Sequence, residues 1–412
     1  MAASELTFGP RILELADRLA VHSELPGALA CTYLTPAHRA TAQELAQWMR
    51  GSGMAVEIDG VANVVGRYAG SAPSPKTLLV GSHYDTVVDA GKYDGRLGIL
   101  TGLVVIEHLN RAGRRLPFAI ELIAFSEEEG LRYSASYIGS TAVAGSFDGA
   151  LLTRRDEGGI SLADAIAKSG FDPRAIQSLA RRREDLAGYL EVHIEQGPVL
   201  LEEGLPLGIV TAIAGGCRFV VTVTGQAGHA GTVPMGLRHD AAAAAAELIL
   251  AVERRCSGVP TLVGTVGKLQ VPGGATNVIP GRCELSLDIR AADNAVRDAA
   301  VADLRAEVAA IAQRRGVTID VRETQRTGAV ACSPRVQALF AQAIGRLGIK
   351  PRFLPSGAGH DAVNFGPITE TGMLFVRCGN GGVSHSPRET ITAQDADLAA
   401  RALLDVLTAY QD

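Results

Sequence analysis

Two short runs of almost uninterrupted apolar residues, at 76–81 and 117–125, restrict the fold more than any other feature of the chain, and a third short strand is read at 190–194. Strands that are apolar at every position, and not at every second one, need cover on both faces. Stretches of helical period at 11–24 and 37–50 precede them, and one at 95–112, stopped by Gly113, lies between the first two. Buried strands alternating with helices predict the α/β class, with a mixed, mostly parallel sheet covered by helices.

After Gly215 and Gly216 the pattern changes. An alternating strand at 218–224, an alanine-rich helix at 240–255, strands at 261–269 and 282–290, a long helix at 294–315 and a strand at 317–323 follow one another. That β-α-β-β-α-β order is the split arrangement of a small self-contained domain. From Ser333 the first style resumes, with a helix to Leu347, a strand at 373–378 and a closing helix from Gln394. The 412 residues exceed the usual size of a single core. The expectation is a discontinuous α/β domain, 1–213 and 326–412, interrupted by an inserted α+β domain at 214–325.

Composition narrows the partners. Lysine and arginine number 39 against 44 acids, a net charge of −5 with no basic block, so neither nucleic acid nor an anionic membrane is an expected partner. No window approaches the length of apolar residues that a bilayer span needs. The six cysteines include no CxxC pair, as in a protein with reduced thiols. The first residues carry acids early, without the basic-then-apolar order of a signal peptide. A soluble, cytoplasmic protein is expected.

The strand ends carry the chemistry. In GSHYDTVVDAGKYDG, residues 81–95, His83 stands at the mouth of the first strand, where α/β proteins gather functional groups. Asp85 is spaced to hold the His83 imidazole, and Asp94 comes just before the next helix. Taken alone, His83 also fits a satisfied core histidine and Asp94 a helix N-cap. The second strand leaves through FSEEEGLRY, with Glu127, Glu128 and Glu129 in a row. Their repulsion raises their pKa values unless a cation neutralises them; a solvated acidic turn is the competing reading. YLEVHIEQG puts His193 at the third strand end, and CGNGGVSHSPRE puts His385 in a glycine-rich loop after the strand at 373–378.

Four strand ends thus deliver two carboxylates and three imidazoles. Imidazole and carboxylate without thiolate suit zinc, manganese, cobalt or nickel. Five ligands exceed what one catalytic metal takes while keeping a position open, so two metals sharing a bridging aspartate fit the count. No GxxxxGK[ST] is present and no GxGxxG follows a strand, which excludes a phosphate cradle of those kinds.

Together with HIEQGPVLLEEG, GHAGTVPMGLRHDA, TNVIPG with LDIR, and SGAGHDA, these stretches carry a resemblance that runs from Gly81 to Glu389. The chain resembles the hydantoinase/carbamoylase-type amidohydrolases of the co-catalytic metallopeptidase superfamily, which include allantoate amidohydrolases, N-carbamoyl-L-amino acid hydrolases and β-ureidopropionases. The resemblance implies two divalent ions per subunit, zinc or manganese with cobalt or nickel as alternatives. Their ligands would be His83, Asp94, Glu129, His193 and His385, with Asp94 bridging and Glu128 as general base. It further implies a homodimer made by the inserted domain, which also serves as a lid, with His229 reaching the partner subunit's site to stabilise an oxyanion. Asn277 and Arg290 would clamp a substrate carboxylate, and Gln196 and His360 would line the pocket. Each has an ordinary alternative: a turn cap for His229, a turn former for Asn277, a surface arginine for Arg290, a structural pair for His360 and Asp361.

The implied reaction is hydrolysis of the ureido C–N bond of a small carboxylate-bearing substrate, releasing ammonia and CO2. Allantoate stands first and N-carbamoyl-L-amino acids next; acyl-amino-acid or dipeptide hydrolysis, and a catalytically silent metal binder, complete the set. Leu131, Tyr133, Val233 in GTVPM and the GGCR stretch depart from the family's commoner residues. None of these removes a ligand, so they bear on substrate choice.

Overall fold

The computed structural model of the protein describes residues 7–73 and 75–411. It divides into two compact units. The first comprises the residues up to Thr211, Cys332–Leu354 and those from His360 onward; the second is Ala212–Ala331 with Pro355–Gly359. The expected boundaries at 213/214 and 325/326 therefore stand a few residues from these, and the short Pro355–Gly359 return belongs with the second unit.

In the first unit the strands lie in the order Ala55–Ile58, Val64–Tyr68, Ala119–Phe125, Thr77–His83, Leu186–Ile194, Thr371–Val376, Leu207–Ile213. The four from Ala119–Phe125 to Thr371–Val376 are mutually parallel, and their flanking neighbours antiparallel. Every residue of Thr77–His83, Ala119–Phe125 and Thr371–Val376 is buried, as a parallel sheet with both faces covered requires. Helices Gly9–Leu19, Arg96–Arg111 and Ala393–Ala409 contribute to one continuous core with these strands, through Ile12, Leu103, Val80 and Leu403 among others.

The first central strand reaches further than its apolar run. Gly81, Ser82 and His83 still pair with Ile123, Ala124 and Phe125, so His83 is the last strand residue and not part of the loop. The hairpin Ala55–Ile58/Val64–Tyr68 and the strand Leu207–Ile213 were not among the expected strands. The first of them alternates exposed and half-buried residues over only four positions, too few to stand out.

The second unit is a wholly antiparallel sheet, ordered Leu269–Gln270, Arg282–Ala291, Gly215–Thr224, Thr318–Arg326, with Val263–Thr265 also on Arg282–Ala291. Burial alternates along its two long strands. One face packs Phe219, Val221, Leu285 and Ile289 against Leu248 and Leu304 of the helices Ala241–Cys256 and Asn294–Arg315. Asp240 and Asp293 cap those helices, each side chain accepting from two backbone N–H groups. The strand expected at 261–269 is two pieces. Lys268 N donates to Ser286 Oγ at 2.9 Å, which takes it out of the ladder beside Gly267.

Among the described residues, no helix is long and apolar enough to cross a membrane. All six cysteines are buried and free.

Helix Arg96–Arg111 sits close on the sheet at Gly98, where a Cβ would fall 2.2 Å from Val192 O and 2.8 Å from Ser82 Cβ. A strand carbonyl cannot give way without breaking its ladder. Gly98→Ala is therefore expected to lower the stability of the first unit by about 3 kcal/mol, the upper end for overpacking. Chemical denaturation followed by a probe in that unit measures the shift, and an unchanged midpoint contradicts the close approach.

Candidate metal centre

The parallel strands end on one side of the sheet, and their last residues converge. His83 closes its strand, and after Asp94 the chain turns at Gly95 (φ +65°), which caps helix Arg96–Arg111. A Cβ at Gly95 would sit 2.5 Å from the His83 ring, so only glycine lets this turn pass so near the histidine. Asp94 is thereby placed where three imidazoles meet it. His193 Nε2 lies 3.3 Å and His83 Nε2 3.6 Å from Oδ1; His385 Nε2 lies 3.2 Å from Oδ2. Glu129 Oε1 is 3.6 Å from the same His385 nitrogen.

These atoms form two sets around one carboxylate: His83, Asp94 and His193 on one side, Asp94, Glu129 and His385 on the other. Within each set the donor atoms lie within 4.8 Å of one another. His83, Glu128 and Glu129 form a further such set, as do Glu191, His193 and His360. His83, Asp94 and His193 are no more than 4% exposed, whereas half of the His385 side chain is open to solvent. Asp94 Oδ1 has no hydrogen-bond partner among the described residues. A buried carboxylate oxygen left so is costly, and a cation facing it together with two imidazole nitrogens removes that cost. The donor chemistry and the orphaned oxygen fit metal ions here.

The charge state of the site points the same way. Burial works against protonating His83 and His193, yet Asp94, with Asp85 at His83, outweighs it, and both lie above the ordinary histidine value. Asp94 beside His385 lifts it to about 9. Burial tends to raise Asp94, but the three histidines hold it well below the usual carboxylate range. Burial pushes Glu129 to about 7 and lifts Glu128 well above its usual range, His83 opposing both. The imidazoles and the crowded acids thus shift one another toward their charged forms, as bound cations would shift the acids.

Asp85 does more than its spacing suggests. Its Oδ1 lies 3.4 Å from His83 Nδ1, and its two oxygens accept from Glu128 N (3.1 Å) and Glu129 N (3.2 Å). It holds the histidine and the acidic run together. Gln196, with φ +57°, donates from Nε2 to Asp94 Oδ2 at 2.8 Å. The fully buried His360 packs edge-on to His193, ring centroids 4.4 Å apart, and burial lowers its pKa well below normal.

His229, Asn277 and Arg290 belong to the second unit. Gly231 N donates to Nδ1 of the exposed His229 at 3.0 Å, which leaves Nε2 as the ring nitrogen able to donate. Val278, the residue after Asn277, pairs with His229 in a short ribbon, and Ala230 N donates to Asn277 O at 3.0 Å, so Asn277, in the turn before that strand, neighbours His229. Arg290 Nε and Nη2 donate to the two oxygens of Asp288, each at 3.0 Å, and Nη1 donates to Gly357 O at 3.0 Å. Arg218 Nε reaches Asp288 as well, at 3.1 Å. The guanidinium is held rigidly on the sheet face that the helices leave open.

Sequence reasoning passed over Glu191, Ser384 and Glu389. Glu191 is buried in an otherwise apolar strand and accepts from Ser82 Oγ, Tyr189 OH and Ala362 N, which ties together the segments bearing His83, His193 and His360. Its signal was an acid two residues before a histidine, on the same face of a strand.

A histidine must be neutral to coordinate, and His385, with its pKa at about 9, is protonated at pH 7 in the metal-free protein. Binding of Mn²⁺ or Zn²⁺ at pH 7 should therefore release protons, and affinity should fall as pH drops. Calorimetry in two buffers of different ionisation heat counts them; no release contradicts this charge balance.

A family model described as peptidase family M20/M25/M40 matches residues 79–409. An N-carbamoyl-L-amino acid amidohydrolase of Geobacillus stearothermophilus is 41% identical over 393 residues, covering 95% of each chain. Allantoate deiminase 1 of Glycine max is 38% identical over 416 residues, covering 93% of this chain and 86% of that one. The crystal structure of an amidase of the hydantoinase/carbamoylase family from Burkholderia multivorans superposes with a TM-score of 0.92 at 32% identity, covering 99% of each chain. The chain therefore belongs to peptidase family M20/M25/M40, a metal-dependent family, in its hydantoinase/carbamoylase branch, and it is a hydrolase of C–N bonds.

Proposed function

We propose that this protein hydrolyses the terminal ureido C–N bond of a small carboxylate-bearing substrate, releasing ammonia and a carbamate that then loses CO2 to leave the free amine. The observation that carries the reading is the single Asp94 carboxylate shared by two candidate ligand sets, with the half-buried Glu128 grouped with His83 and Glu129. His83 and His193 would hold one divalent ion, and Glu129 and His385 the other, with Asp94 common to both. Zinc or manganese suits this donor set, as cobalt and nickel do. The bound ions supply Lewis acidity, polarising the ureido carbonyl and easing deprotonation of water.

The chain's own residues do the rest. Glu128 accepts a proton from the attacking water and hands it to the departing nitrogen. His229, whose Nε2 is the ring nitrogen able to donate, gives a hydrogen bond to the oxygen on which negative charge develops. Arg290, already fixed by Asp288, presents a planar cation to the substrate carboxylate. Asn277 supplies an amide beside it, and Gln196 and His360 line the pocket. The second unit acts as lid and dimerisation domain, and His229 serves the partner subunit's site. The residues first assigned to one domain or the other keep these roles. A cytoplasmic location accords with six free cysteines.

Two substrates are favoured by separate observations. GHAGTVPM and the MLFVRC and GGVSHSP stretches favour allantoate. The 41% identical relative, named for N-carbamoyl-L-amino acids, favours those.

Ammonia release from allantoate and N-carbamoyl-L-amino acids, and free amino-acid release from a dipeptide, each measured with Mn²⁺ or Zn²⁺, separate these readings. Turnover of at least one ureido acid and none of the dipeptide is expected; ammonia from neither ureido acid contradicts the proposal. Glu128→Gln should bind metal as the wild type does and lose about 10²–10⁴-fold in kcat, the usual worth of a general base. Activity within tenfold of wild type would remove Glu128 from that role.

A further inference from the structure

Two residues near the C-terminus, outside the ligand set and the substrate-binding group, meet Asp94 from behind. Glu389 is 3% exposed, and its Oε1 accepts from Tyr93 N at 2.8 Å and from Asp94 N at 3.1 Å. Its side chain lies against Gly91, where a Cβ would come within 2.3 Å of Oε1. The loop before helix Arg96–Arg111 is thus shaped around this carboxylate. Ser384 Oγ stands between two acids, 2.7 Å from Asp94 Oδ2 and 3.2 Å from Glu389 Oε2. A hydroxyl has one proton to give, and the shorter distance assigns it to Asp94. Ser384 directly precedes His385, whose backbone is left-handed at φ +54°, a conformation that a non-glycine residue holds only when its surroundings fix it.

We propose that Glu389 and Ser384 are positioning residues that lock the Asp94 loop to the His385 loop: Glu389 fixes the Asp94 backbone, and Ser384 fixes its carboxylate. Neither touches the substrate or the ions. They set the angle at which one carboxylate faces both ligand sets, so metal affinity depends on them more than the fold does. The inference rests on the metal-centre reading above. Partners of this kind are worth 10- to 100-fold in metal affinity at other centres.

The test compares wild type with Ser384→Ala, Glu389→Ala and Glu389→Gln. Mn²⁺ affinity is measured by chelator competition, and the melting temperature is measured on the metal-free proteins. Ser384→Ala and Glu389→Ala are expected to lose about 10- to 100-fold in affinity. Glu389→Gln, whose amide oxygen still accepts from Tyr93 N and Asp94 N, should keep most of it. The metal-free Ser384→Ala protein should melt with the wild type. If Glu389→Ala does not fold, Ser384→Ala and Glu389→Gln decide. Affinities within twofold of wild type for Ser384→Ala overturn the proposal while leaving the metal centre standing. A wild type that binds no Mn²⁺ overturns the metal centre itself, and this inference with it.

Discussion

One buried carboxylate shared among three imidazoles organises the first unit. Asp94 lies between His83 and His193 on one oxygen and His385 on the other, so its two oxygens face different candidate donors. That arrangement exists because parallel strands end together on one side of a sheet. Burying so many acids in one place would be ruinous unless positive charge came with them. The imidazoles beside them offset part of that cost, and bound cations would offset more.

The surrounding structure serves that cluster. Asp85 binds the acidic run to His83, Glu191 ties the histidine-bearing segments together, and Gly95 and Gly98 bring a helix down upon the strand ends. The second unit is built differently, with one face of an antiparallel sheet sealed by two helices and the other carrying the Asp288 and Arg290 pair.

Much of this could be read from the chain itself. Apolar runs located the central strands, and the charged residues just past them are the ones that the first unit gathers: His83, Asp94, Glu128, Glu129, His193 and His385. Local patterns sufficed because each residue sits within a few positions of a strand end, apart from Asp94 and His385 at the far ends of their loops. What stayed hidden depends on contacts between distant segments. Ser384 and Glu389 lie about three hundred residues from Asp94 in sequence, and nothing near them announces that partner. Likewise, no spacing rule says that Asp94 divides the ligands into His83 with His193 and Glu129 with His385. The division follows from where three loops fold, not from the composition of any one of them.

The most direct test of a carboxylate that unites two cation sites is an anomalous difference map from crystals grown with Mn²⁺. Two peaks flanking the Asp94 carboxylate are predicted, one beside His83 and His193 and the other beside Glu129 and His385. A single peak, or density that leaves Asp94 uncoordinated, would contradict the account.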